Sequence, residues 1–368
     1  MKILIITQAF YPGISPRSFR ATELAKELAR QGDDVTVYAE LRDFNYSEFT
    51  KKTNVVLHDI PLRFQSNKDG NTQKKRGLLK RAVYKVLHTL IEYPDVEFVW
   101  KIKGILKKEK DVDLLITIAY PHPIHWGTGV AKFLLKDDFP LKWIADCGDP
   151  YAGNKTEPHF FYFKYVERFW GKRASFITVP VETAISAYEP VLRGKIKVIP
   201  QGFDFSGLKI FHGDLEYGCP HFAYAGIIYA GKRDPSLLLD YLCGIDKDFV
   251  FTIYTKADTF FIKYKEKLGN KLVVLPYVPR EQLLFELSKQ NFLINLTNTT
   301  DTQVPSKLID YTFTQRPFMN ISADFKEKEI FEEFFLGDYK NACKPVDLSL
   351  YDIANVASQF KKIANSLS

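Results

Sequence analysis

The segment richest in chemistry lies near the C-terminus. There a strand-like run, Phe292-Leu293-Ile294-Asn295-Leu296, leads through the polar loop 297–303 into Pro305-Ser306-Lys307-Leu308-Ile309-Asp310-Tyr311. Pro305-Ser306 suits the opening of a helix, and a helix start attracts phosphate through its free N–H groups and dipole. Ser306 adds a hydroxyl there and Lys307 a cation. Asp310, four residues after Ser306, falls on the same helix face one turn deeper. A carboxylate at that depth accepts hydrogen bonds from a sugar diol. Phosphate at the tip and ribose one turn in describe a nucleotide-diphosphate site.

The first half carries polar residues after other strand-like runs. In Trp143-Ile144-Ala145-Asp146-Cys147-Gly148-Asp149-Pro150-Tyr151, Asp146 and Asp149 stand where a carboxylate either orients sugar hydroxyls or caps its own loop. In Ala119-Tyr120-Pro121-His122-Pro123-Ile124-His125-Trp126, the two histidines read as ligand hydrogen-bonders, or one caps a helix starting near Trp126. They are not spaced or accompanied like a metal set. Arg17 and Arg20 open the first helix, where a cation meets a phosphate or simply faces solvent. Asp111-Val112-Asp113 and Asp246-Lys247-Asp248 read as surface turns, so no DxD metal motif is expected.

The elements that position these residues follow from apolar periodicity. Residues 2–7 read as a buried strand, 18–31 as a helix with Ala21, Leu24, Ala25 and Leu28 on one face, and 35–38 as the next strand. Strand-helix-strand units imply parallel pairing in a doubly wound sheet. The loop 10–16 contains one glycine, Gly13, and no GxGxxG, which disfavours a dehydrogenase. Strands are expected again at 55–57, 114–117, 143–145, 176–179 and 196–199, with helices at 126–135 and 160–172. The turn-rich Pro200-Gln201-Gly202-Phe203-Asp204 marks a boundary. A second series then runs 222–225, 249–254, 272–274 and 292–296. Ligands of open α/β sheets bind beyond the carboxyl ends of the strands.

At 368 residues the chain exceeds one ordinary core, and its 30 Phe and 20 Tyr are expected mainly to fill cores. No run of 18 apolar residues occurs and the N-terminus has no signal-peptide layout, so a cytoplasmic protein is expected. Cys147, Cys219, Cys243 and Cys343 form no CxxC pair and read as reduced thiols. Residues 68–110 hold twelve Lys/Arg against five acids, a difference of +7 that equals the whole chain's net charge. Within them, 76–91 has helical apolar spacing flanked by Arg76, Lys80, Arg81, Lys85 and His88. That pattern fits either an anionic membrane surface or a docked helix with a solvated basic side. No nucleic-acid module appears.

The 305–311 segment resembles the PSKLxEY-type segment of the retaining family-4 glycosyltransferases of GT-B fold, especially those that build bacterial surface polysaccharides. Stretches 1–39, 143–151, 177–204 and 222–242 agree in the same order, and 143–151 resembles the "DxRDPW" segment of one branch. The family opens its second domain with Gly-Arg and a Lys about six residues on, both holding the donor diphosphate. Here Gly226 is followed by Ile227, and Arg233 stands at the Lys position beside Lys232. Of the family's two glutamates eight positions apart, Thr302 occupies the first position and Asp310 the second; Asp301 falls one residue early.

The resemblance implies an α/β GT-B protein of two doubly wound Rossmann-like domains facing across a cleft. An acceptor-side domain would span 1–202, with the helix 350–368 returning to it, and a nucleotide-sugar domain 203–349. The implied activity is metal-independent, retaining transfer of a sugar from a nucleotide-diphosphate sugar, a co-substrate with no further cofactor. The acceptor would be a saccharide, most readily lipid-linked, in capsule, O-antigen or exopolysaccharide assembly. Asp149, His122 and Arg233 are the expected catalytic groups. Gly226, Lys232, Arg233, Ser306, Lys307 and Asp310 would hold the nucleotide. Gly13, Arg17, Arg20, Asp146, His125 and Thr302 would serve the donor sugar or acceptor. The rivals are a catalytically silent GT-B partner subunit, for which Ile227 and Thr302 argue, and a sugar-nucleotide 2-epimerase.

Overall fold

The computed structural model describes residues 1–63, 78–140, 142–154, 159–215, 217–229, 231, 233–256, 259–297 and 306–366. The chain divides into two compact units, Met1–Asp204 with Leu350–Ser368, and Phe205–Ser349.

Unit 1 is built on a seven-stranded parallel sheet of β1 (Lys2–Thr7), β2 (Asp34–Ala39), β3 (Val56–Asp59), β4 (Leu114–Ala119), β5 (Trp143–Cys147), β6 (Phe176–Val179) and β7 (Ile196–Val198). Their spatial order is β3-β2-β1-β4-β5-β6-β7. Helices cover both faces, so β1 and β4 read as unbroken apolar runs rather than alternating ones. Ile3 and Ile5 face a core shared with the first helix, while Leu4 and Ile6 face the helices Phe98–Lys108 and Pro123–Leu135.

The first helix spans Pro16–Arg30 rather than 18–31. Ser15 caps it by accepting a hydrogen bond from Ser18 N at 3.1 Å, and Pro16 fits the first turn because no partner is needed for the missing N–H. The helix Pro123–Leu135 likewise begins at a proline, three residues ahead of the expected start.

The helix Ile353–Asn365 closes unit 1, with Val356, Ala357 and Phe360 fully buried against Ala21, Leu24, Ala25 and Leu28. Burying Phe360 alone contributes about 1.5–3 kcal/mol. The two strands of chain that join the units meet just before this helix. Phe203 N donates to Tyr351 O at 2.8 Å, and Ile353 N donates to Phe203 O at 3.0 Å.

Unit 2 has a five-stranded parallel sheet of β8 (His221–Ala225), β9 (Val250–Tyr254), β10 (Leu272–Leu275), β11 (Phe292–Leu296) and β12 (Phe318–Ile321), ordered β10-β9-β8-β11-β12. Phe222 stacks against Phe251 and Phe292, with Phe331 edge-on, so phenylalanines do fill this core. Each sheet reverses its strand order once, between β1 and β4 and between β8 and β11. Chains leaving the carboxyl ends of two such strands diverge and open a crevice.

Candidate functional site

In unit 2 the crevice lies where β8 and β11 part after Phe222–Phe292 and Ala223–Leu293. Tyr311 bridges the parting strands: its buried hydroxyl accepts from Ala225 N at 3.1 Å and donates to Ile294 O at 2.9 Å. This pins the helix Ser306–Phe313, and with it the helix start, at the switch point. Sequence reasoning passed over Tyr311; its place in the helix, five residues after Ser306, was the available signal.

Gly226 follows β8 with φ +150°, and a Cβ there would lie 2.3 Å from Lys307 Nζ. The glycine thus leaves the space that the ammonium fills. Lys307 Nζ donates to Tyr224 Oη at 2.7 Å and lies 4.2 Å from the ring centroid. Burial pushes the Tyr224 hydroxyl far above its ordinary pKa, against the pull of the Arg233 charge. Lys307 therefore sits on Tyr224 beside Gly226, and the Arg233 charge acts on the same hydroxyl. Among the described residues Asp234 makes no ion pair with Arg233; its carboxylate accepts from Gly231 N, Ser236 N and Ser236 Oγ. Lys232 and Thr302 lie outside the described residues, as does Asp301.

Asp310 is not a bare carboxylate. Its Oδ1 accepts from Arg280 Nε at 3.0 Å and Nη2 at 2.7 Å. Burial raises its pKa, with the Arg280 charge opposing. Among the described residues Oδ2 accepts no hydrogen bond, so one oxygen remains for a diol. Arg280 begins its own helix, Arg280–Leu287, and nothing in the sequence ties it to a residue thirty positions on.

In unit 1 the structure corrects three expectations. Asp146 is buried, and its oxygens accept from Arg20 Nε at 3.1 Å, Arg20 Nη2 at 2.8 Å and Thr178 Oγ1 at 2.7 Å. Burial alone would raise its pKa, but the Arg20 charge and these bonds hold it below the ordinary carboxylate value. Arg20 also donates to the Ile199 and Pro200 carbonyls and lies over the Phe360 ring. This pair welds β5, the end of β7 and the C-terminal helix together; neither member is available to a phosphate or a sugar.

His125 is the third correction. Trp143 Nε1 donates to Thr117 Oγ1 at 2.8 Å, which leaves the threonine proton for His125 Nδ1, also at 2.8 Å. The other ring nitrogen then carries its hydrogen toward Cys147 Sγ at 3.3 Å. Burial depresses the His125 pKa to about 4, which keeps the ring neutral. One group of three potential metal-ligand atoms, on His122, His125 and Cys147, lies within 4.8 Å among the described residues. The hydrogen-bond chain occupies both nitrogens of its middle member.

His122 keeps more freedom. Its backbone carbonyl takes the first bonds of the helix Pro123–Leu135, while its buried Nδ1 has no hydrogen-bond partner among the described residues. Burial, with help from the neighbouring His125 and His159 and from the positive charge of Arg17, holds its pKa well below the ordinary value. Asp149 is exposed at the loop after β5. Gly13 sits in a tight turn, where a Cβ would approach Phe10 O to 2.8 Å and Ser18 Oγ to 2.9 Å.

A cavity of about 770 Å³ opens in unit 1 beyond the carboxyl ends of β1, β2 and β4, with Gly13, Arg17, Arg42 and Tyr120 in its wall. The basic helix, Leu78–Ile91, adds Tyr84 and His88. Its outer residues Val83, Val86, Leu90 and Ile91 are exposed, together with Arg81 and Lys85. Arg76 lies outside the described residues. No described helix is long and apolar enough to cross a membrane.

No protein-family model matches the chain, and no curated relative does. Solved structures do. The apo lipopolysaccharide outer core galactosyltransferase WaaB superposes with TM-score 0.63 at 12% identity over all of both chains. Anabaena Alr3699/HepE in complex with UDP gives 0.62, also at 12% identity and full coverage of both. A putative UDP-N-acetylglucosamine 2-epimerase from Listeria monocytogenes gives 0.55 at 11% identity, over 100% of this chain and 97% of that one. Two parallel sheets with alternating helices, matched along the full length by glycosyltransferase structures, make this a two-domain α/β GT-B fold.

Proposed function

We propose that this protein is a glycosyltransferase that takes its sugar from a nucleotide-diphosphate donor bound to unit 2. The observation that carries the reading is the Lys307 ammonium seated on Tyr224 in the space left by Gly226, at the β8/β11 switch point, with Arg233 following on the same loop. Phosphate oxygens match such a cradle, and Arg233 grips bidentately where Lys307 acts as a point charge. Asp310, oriented by Arg280, offers Oδ2 to the ribose. Structures of Anabaena HepE with UDP and with UDP-glucose support a uridine nucleotide among the donors to try first.

The resemblance to the family-4 enzymes supports retention, in which the leaving phosphate oxygen lies near the incoming hydroxyl. Protein groups then position the reactants and stabilise charge, here through cations and the helix start. On this reading transfer needs no metal. The test is a thermal-shift screen of UDP-, GDP-, ADP- and dTDP-sugars, with and without EDTA. Binding to the native state raises its melting temperature by mass action. One nucleotide series should stabilise the protein regardless of EDTA; no shift with any of them rejects the donor site.

The acceptor on this reading is a lipid-linked saccharide met at the membrane surface. The exposed apolar residues of the helix Leu78–Ile91 and its basic flank support that. Each basic residue near an anionic surface contributes about 1 kcal/mol. Wild type should therefore co-sediment with anionic vesicles, less so at high salt, and Arg81→Glu/Lys85→Glu should not. Indifference to anionic vesicles at low salt removes the membrane from the proposal.

Epimerisation is the second reading, favoured by the Listeria neighbour. It requires turnover of the nucleotide sugar with no acceptor present, whereas a silent partner subunit would bind nucleotide and turn over nothing.

A further inference from the structure

We propose that Arg17, seated on Gly148, is the anion-binding residue of the unit 1 cavity, and that it holds a phosphate group on the acceptor side. The inference rests on the glycosyltransferase reading only for the word acceptor. A Cβ placed on Gly148 would lie 1.4 Å from Arg17 Nη2 and 1.6 Å from Cζ, so the guanidinium occupies the space a side chain at 148 would need. The absence of a side chain at 148 is what lets the cation settle there.

Arg17 is half-buried, yet its guanidinium forms no hydrogen bond or ion pair among the described residues. Several carboxylates near it or in the cavity wall have other partners. Asp146 is held by Arg20 and Thr178. Glu40 and Asp95, in the cavity wall, accept from the Gln8 amide at 3.0 and 3.3 Å, and Arg42 lies 4.0 Å from Glu40. A guanidinium with no protein acceptor keeps its donors for an anion, and its planar fork matches a phosphate. The buried Nδ1 of His122 also has no hydrogen-bond partner among the described residues. Tyr84 and Tyr120 in the same wall offer apolar faces to whatever the phosphate carries. A phosphate ester joining a saccharide to its carrier combines both features.

The experiment is isothermal titration of inorganic pyrophosphate and of farnesyl diphosphate at low salt, with UDP saturating so that unit 2 is occupied. Wild type should bind, and Arg17→Ala should weaken both probes at least about tenfold. Arg17→Lys should keep part of the affinity. Gly148→Ala should lose as much as Arg17→Ala although it removes no charge. Circular dichroism confirms that each variant folds. Tighter binding of the farnesyl form assigns a lipid-borne phosphate, equal binding a free one, and either upholds Arg17. The proposal is overturned if neither probe binds wild type, if Arg17→Ala binds as wild type does, or if Gly148→Ala has no effect. Equal loss of UDP affinity in Arg17→Ala moves the anion to the donor and also overturns it. If UDP itself fails to bind wild type, the donor reading falls while the comparison of Arg17 variants still decides this one.

Discussion

Both units place an arginine–aspartate pair near the switch point of a parallel sheet, and the two pairs do different work. Arg20 and Asp146 in unit 1 are 4% and 2% exposed, and their bonds tie three elements together. Arg280 and Asp310 in unit 2 are 33% and 21% exposed, and one carboxylate oxygen is left over. The chemistry of the two pairs is the same. Burial decides which is structure and which is available to a ligand.

The sharpest way to break that contrast is Asp146→Ala. It strands the Arg20 charge in the core and should destabilise unit 1 by about 3–5 kcal/mol, read as a lower midpoint in urea. A loss below about 1 kcal/mol would mean that Arg20 finds water, and that the pair is closer to a site than to a weld.

Acid should separate the units next. His125 has a folded pKa of about 4 against an ordinary 6.5. The unfolded chain therefore binds its proton first, and stability should fall as pH drops from about 6.5 to about 4, on the order of 3 kcal/mol in all. Asp146 has the depressed pKa of a paired carboxylate, so its contribution is present above the ordinary carboxylate range and is lost only as pH falls below it. Asp310 has the opposite sign: its raised pKa means that acid relieves a penalty. Tryptophan emission should report the early loss, because Trp143 and Trp170 sit with His125 in unit 1. A flat profile between pH 6.5 and 4 would contradict the neutral, buried assignment.

Asp310→Ala should have the smallest effect on folding and a selective effect on ligand. Nucleotide-sugar affinity should weaken by about 1–3 kcal/mol through loss of a charge-assisted hydrogen bond, while the denaturation midpoint moves little. Unchanged affinity by calorimetry in a folded variant would leave Asp310 as a mere anchor for Arg280.

These contrasts show what was legible beforehand. Parallel sheets were, because strands buried on both faces must be written as unbroken apolar runs such as Ile3-Leu4-Ile5-Ile6 and Phe292-Leu293-Ile294. The helix at Ser306 was, because its start signals are local. Pairings across the fold were not. Arg20 and Arg17 stand three residues apart at the same helix start, and no local pattern says that one is swallowed by Asp146, 126 residues on, while the other rests on Gly148. His125 looked like His122 for the same reason; the bonds that tell them apart come from β4 and β5.

The hydrogen bonds between Phe203 and the backbone of Tyr351 and Ile353 have a consequence for how the molecule is made. Chain order makes the whole of unit 2 an insertion, and these bonds tie its two ends within unit 1. On a ribosome, residues 1–204 emerge with the Leu24–Leu28 face of the first helix still uncovered, and they must wait for residues 353–365 to cover it. Throughout that interval unit 2 is being synthesised and can fold on its own, since domains fold as units. Once folded, it is a short tether; unfolded, it is a 145-residue loop whose ends must be held together at an entropic cost that rises with loop length. A lesion in the core of unit 2 therefore loosens the last helix of unit 1 through the chain itself.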